Sequence, residues 1–156
     1  MSSLNKEELL KILPEDGPSV EETLRYLEKY TKDFIVIKMG GSVLSNDDLF
    51  NNLIQDIAIL KRLKLSLFII HGGGSKISKK LNTLNIENKF INGLRVTDKS
   101  IIDTVEEVLI DFNKDIVNSL KKLGSEAASF HTKNDNIIEV EPEREELGFV
   151  GIPKKI

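Results

Sequence analysis

The chain has 156 residues with 22 basic and 25 acidic side chains, a formal charge of −3, and no cysteine or tryptophan. That length suits one domain with a full core. The charge balance points away from nucleic acid and anionic membranes, and the lack of cysteine removes disulfides, thiolate metal sites and thiol catalysis.

The start, MSSLNKEELLKIL, carries acidic residues and no unbroken apolar core, and no stretch approaches 18 apolar residues. A targeting or membrane segment is therefore not expected, and the expected location is cytoplasmic. Asn5 followed by Glu8 resembles a capping box, opening a short helix whose stripe is Leu9, Leu10, Ile12 and Leu13 and which stops at Pro14. Ser19 with Glu22 opens a second helix, with Val20, Leu24 and Leu27 at i, i+4 and i+7. Residues 1–31 thus read as an N-terminal helical arm, which either packs on its own domain or docks on another subunit.

Phe34 to Lys38 is a β-branched run of strand length that ends in Met39, Gly40, Gly41 and Ser42. A helical face of Leu49, Leu53, Ile57 and Leu60 follows, and then a second apolar strand, Leu67 to Ile70, ends in His71 and Gly72, Gly73 and Gly74. Strand, crossover helix and strand of these lengths imply a βαβ unit and a parallel sheet. Ile77, Leu81 and Leu84 mark the next helix; Asn88 to Val96 reads as irregular, and Thr97 or Asp98 can cap a long helix carrying Ile101, Val105, Val108 and Leu109 and continuing to Leu123. EAASF and NIIEV read as short strands around the turn residues Thr132 to Asp135, and Glu139 to Glu146 as a solvated loop.

Two glycine turns on consecutive parallel strands should open at the carboxyl ends of those strands, where ligands of open α/β sheets lie. Glycine lets the backbone reach positive φ and approach a ligand, and a helix starting after Gly74 would turn its unpaired N–H groups towards an anion. Neither turn has the P-loop spacing, and GGGSKI lacks the third glycine of the dinucleotide pattern. Lys38 ends an apolar strand where a lysine has no packing role; beside the glycines its ammonium suits charge on a transferring phosphoryl group. Arg95 could hold a carboxylate bidentately. His71 reads as a hydrogen-bonded strand-end residue and His131 as exposed, with no carboxylate at ligand spacing, so no metal site is expected.

IVIKMGGS, IIHGGGS, NGLRVTD and EELGFVG, in this order, resemble the acetylglutamate kinases of the amino acid kinase family. The resemblance implies an α/β fold with an open, mainly parallel sheet sandwiched by helices, residues 32–156 forming the N-terminal, acetylglutamate-binding lobe behind the arm at 1–31, with the nucleotide-binding half absent. It implies ATP-dependent phosphorylation of the side-chain carboxylate of N-acetyl-L-glutamate in arginine biosynthesis, with ATP and Mg as co-substrate. By the same resemblance Lys38, Gly41 and Gly73 are catalytic; Lys38, Gly40, Gly41, Gly72 and Gly74 bind phosphate; and Gly72, Gly73 and Arg95 bind substrate, Arg95 at the α-carboxylate. It further implies homo-oligomers built through the sheet edge and the arm, and a possible arginine effector. The chain alone is expected to be inactive or nearly so. The alternative is a kinase-like, arginine-sensing or binding domain of an N-acetylglutamate synthase, or a non-catalytic interaction module.

Overall fold

A computed structural model describes residues 4–131 and 138–155, and the turn expected at Thr132 to Asp135 lies outside them. Contacts divide the chain into two units, one formed by Met1–His71 with Asn118–Ala127, the other by Gly72–Val117 with Ala128–Ile156.

In the first unit, α1 (Lys6–Ile12) and α2 (Val20–Tyr30) begin where the caps predict. Asn5 Oδ1 accepts the Glu8 N–H at 2.9 Å and Glu8 Oε2 accepts the Asn5 N–H at 2.8 Å, a reciprocal box that satisfies two otherwise orphaned donors. Asn5→Ala is expected to cost about 1 kcal/mol, read as a lower urea midpoint. Leu9 and Leu27 are buried with Leu63 and Leu65, and Ile35 and Leu67 pack against that cluster. The helices of the arm thus share a core with the strands.

Strand β1 (Phe34–Met39) leads through the one-turn helix α3 (Gly41–Leu44) and α4 (Asp47–Arg62) to β2 (Ser66–His71). The strands pair in parallel, with Lys38 opposite Ile70 and Met39 opposite His71. This is the expected strand–helix–strand order and α/β class. Burial alternates along β1: Ile35, Ile37 and Met39 point to the covered face, while Phe34 and Val36 remain 78% and 59% exposed. A continuous apolar run usually means two covered faces. Here the cluster around Leu9 and Leu27 packs against only one of them, the face of Ile35 and Leu67.

The second unit begins with α5 (Gly74–Thr83) and the hairpin β3 (Phe90–Ile91) and β4 (Leu94–Arg95). Helix α6 (Ile102–Lys122) is continuous, as its apolar spacing predicts, and crosses the division between the units. Ile77, Leu81 and Ile101 form the buried centre between α5 and α6, joined by Ile86, Val105, Val108 and Leu109.

The carboxyl-terminal expectations need correction. No strand forms over 126–130, where EAASF offers no β-branched residue; the Phe130 carbonyl instead accepts from Asn113 Nδ2 at 3.4 Å. Of NIIEV, residues 136–137 lie outside the described chain, and β5 (Glu139–Pro142) covers only its last two residues. The segment 139–146 is solvent-facing but not a loop: β5 pairs antiparallel with β6 (Gly151–Lys155), and a 3-10 turn occupies Glu145–Leu147. Opposite charges across the hairpin, Lys154 Nζ to Glu141 Oε2 at 2.9 Å, relieve the glutamate density that argued for a loop. Among the described residues no helix is long and apolar enough to cross a membrane.

Candidate functional site

The parallel register brings the carboxyl ends of β1 and β2 side by side, so Met39, entering Gly40 and Gly41, lies opposite His71, entering Gly72. Lys38 is exposed and shares its face with Phe34 and Val36. His71 ends β2 as expected, whereas His131 is half-buried rather than exposed.

Neither glycine turn uses positive φ, so the conformational freedom expected of glycine there is not drawn upon. The positive-φ glycines of the described chain are Gly93, Gly124 and Gly148. At Gly40, Gly41, Gly72 and Gly74 an added Cβ would meet nothing within 4 Å among the described residues. The fold therefore does not itself exclude a side chain at these positions, although glycine costs about 0.5–1 kcal/mol of chain entropy against alanine. Gly73 differs, since a Cβ there would lie 2.5 Å from Leu109 Cδ2. Leu109 packs against the cluster of Ile77, Leu81 and Ile101, so the start of α5 lies close against α6.

Helix α5 starts without a side-chain cap, because Gly73 stands at its N-cap position. Its first-turn N–H groups receive no side-chain acceptor from that residue, an arrangement suited to an anion.

Arg95 is held by several partners within the second unit. Asn92 and Gly93 both take positive φ, 49° and 81°, in the two-residue turn between β3 and β4. That is the mirror-image hairpin turn for which Asn-Gly is the strongest short-range signal, so the segment expected to be irregular is a hairpin that its own sequence announces. Its register sets Phe90 opposite Arg95, with the guanidinium carbon 4.7 Å from the ring centroid. Arg95 Nη1 donates to Asn88 Oδ1, and Nη2 donates to the Gly74 carbonyl at 3.1 Å and to Ser78 Oγ at 2.8 Å. Asn88 is held in turn by Asn82, whose Oδ1 accepts from Asn88 Nδ2 at 2.7 Å. Burial lowers the Arg95 pKa below its ordinary value, yet a guanidinium stays charged near neutrality. Hydrogen bonds from the Ser100 hydroxyl and backbone N–H hold the Asp98 carboxyl below its usual range.

Arg95 and the glycines are expected from the sequence, whereas Ser78, Asn82, Asn88 and Phe90 are not. Phe90 could have been found from the Asn92-Gly93 register; the other three carry no local signal, because their partners lie up to 17 residues away. An open groove of about 360 Å³ between α5 and α6 is bordered by Lys76, Lys79, Asp111, Phe112 and Asp115, none of them predicted. Among the described residues no three His, Asp or Glu side chains gather to hold a metal ion.

The strand–helix–strand order with its parallel pair makes this an α/β protein, and the chain belongs to the amino acid kinase family, whose model matches residues 33–146. Within it, the chain is 54% identical over 156 residues to the acetylglutamate kinase of Pelagibacter ubique, covering 100% of this chain and 54% of that one. It is 40% identical over 135 residues to the acetylglutamate kinase of Campylobacter jejuni, covering 86% and 48%. The chain thus spans about half the length of these curated relatives. Among solved structures, smu.665 from Streptococcus mutans superposes with a TM-score of 0.63 at 29% identity, over 79% of this chain and 50% of that one. N-acetylglutamate synthase from Neisseria gonorrhoeae, solved with coenzyme A and N-acetyl-glutamate, gives 0.66 at 19% identity over 88% and 33%, and shares the fold.

Proposed function

We propose that this chain is the acetylglutamate-binding part of an acetylglutamate kinase, which transfers the γ-phosphoryl group of ATP, bound with Mg, to the side-chain carboxylate of N-acetyl-L-glutamate. The observation that carries the proposal is the set of glycines at 40, 41, 72 and 74, which the fold leaves free to bear a side chain and which a closely approaching ligand would require to be bare. The acceptor is already an anion, so no general base is needed and catalysis reduces to alignment and charge neutralisation. Lys38 would offset charge on the transferring group. Backbone N–H groups at Gly41 and Gly73 would donate to its oxygens, with Gly40, Gly72 and Gly74 leaving room for them. Arg95 would bind the α-carboxylate. ATP with Mg would supply the phosphoryl group and neutralise charge on its oxygens.

The 54% identity to a kinase favours this reading over a synthase domain, to which the likeness is one of fold. Assembly of copies through residues 1–31 and the sheet edge, an arginine effector and a cytoplasmic location belong to the same proposal.

Titration calorimetry of the full chain tests it. N-acetyl-L-glutamate is expected to bind more tightly than its α-amide, and Arg95→Ala to weaken the acid by about a hundredfold, the worth of a lost charged pair of hydrogen bonds. Equal affinity for acid and amide, or an Arg95→Ala chain that binds unchanged, would sink the assignment.

A further inference from the structure

A guanidinium has five N–H donors and two faces that can grip a carboxylate with parallel bonds, one formed by Nε and Nη2, the other by Nη1 and Nη2. Nη2 belongs to both. In this chain Nη2 already donates to the Gly74 carbonyl and to Ser78 Oγ. Neither two-pronged face of Arg95 is therefore open as it stands, and one of the two acceptors must leave before a carboxylate can be held bidentately.

The Gly74 carbonyl is backbone in the first turn of α5, fixed by the helix. Ser78 offers a hydroxyl on a single rotatable bond. It also has somewhere to go, because a mid-helix serine can donate to the carbonyl four residues earlier, which here is Gly74. Asn88 is anchored at its other end by Asn82 at 2.7 Å, and Phe90 is fixed opposite Arg95 by the hairpin register. Neither has comparable freedom.

We infer that Ser78 is an exchangeable placeholder on Arg95, giving up its place on Nη2 to an incoming ligand carboxylate oxygen, while Asn88 and Phe90 are positioning residues that keep the guanidinium plane in place during the exchange. The inference rests on the proposed role of Arg95. It adds three residues: Ser78, which the ligand must displace, and Asn88 and Phe90, which hold the guanidinium while it does so.

The test is calorimetry of N-acetyl-L-glutamate and its α-amide on the full chain and its variants. Ser78→Ala removes the internal competitor and is expected to tighten the acid about tenfold, with the amide unchanged; Asn88→Ala is expected to weaken the acid about tenfold. A merely structural serine would not give tighter binding on removal. If Ser78→Ala leaves the acid's affinity unchanged or lower while Arg95→Ala still loses it, the exchange is wrong and the arginine's role stands. If Arg95→Ala also binds unchanged, the underlying reading has failed. Side-chain ¹⁵N relaxation of Arg95 in the free chain gives an answer without any ligand: Ser78→Ala and Asn88→Ala should each speed rotation about Nε–Cζ, and unaltered rotation in both overturns the inference.

Discussion

Gly148→Ala is expected to destabilise the chain by about 3 kcal/mol or more, seen as a urea midpoint far below that of the unaltered protein. Gly148 takes φ 68° and ψ −122°, a region open to glycine and strained for any residue with a Cβ. Space is also lacking. An added Cβ would press on the Thr97 carbonyl oxygen and lie 2.9 Å from the Thr97 carbonyl carbon and 3.1 Å from Asp98 Cα. These are backbone atoms, and relief requires moving the chain. The move would break the bridge between Thr97 and Gly148, where the Thr97 N–H donates to the Leu147 carbonyl at 2.9 Å and the Phe149 N–H to the Thr97 carbonyl at 2.7 Å. Thr97 stands two residues after Arg95, so the same variant should also lose acetylglutamate binding. A Gly148→Ala chain with an unaltered midpoint would mean that this crossing of two loop segments is not as described.

Leu81→Ala is expected to cost about 2–5 kcal/mol, the range for removing a fully buried leucine from a core that cannot collapse around the gap. Leu81 is 0% exposed and sits with Ile77 and Ile101 between α5 and α6. Ser78 and Asn82, two supports of the Arg95 network, are on the same helix, so loosening α5 should blur the network before the chain unfolds. The volume-conserving Leu81→Met should cost less than about 1.5 kcal/mol. Equal losses in both variants would show that the position responds to shape rather than to buried volume.

Packing against one face of the strand pair also explains why the apolar run at 34–38 is not buried on both sides. From sequence, Phe34 and Val36 look as buried as Ile35 and Ile37, since β-branched and aromatic residues favour strands on either face. Helices α1 and α2 cover the Ile35 face alone. Likewise, five glutamates among residues 139–146 argued for a loop, because local charge density says nothing about a partner strand carrying Lys154 and Lys155.

What the sequence determined by itself is whatever depends on neighbours in the chain. Asn5 and Ser19 mark helix starts because a cap reaches only three residues ahead. The order β1, α4, β2 follows from strand length and crossover length, and Asn92-Gly93 specifies its hairpin through backbone conformation alone. The glycine turns and Arg95 are likewise legible as residue types suited to anions. The tertiary structure decided what depends on distant partners: which strand face is covered, that a Cβ at Gly73 would crowd the Leu109 side chain while one at Gly72 or Gly74 would meet nothing within 4 Å among the described residues, and that Arg95 is tied to Gly74 and Ser78, up to 21 residues earlier. A guanidinium's chemistry is carried by its residue type, but the direction of its donors is set by acceptors that only folding brings within 3 Å or so.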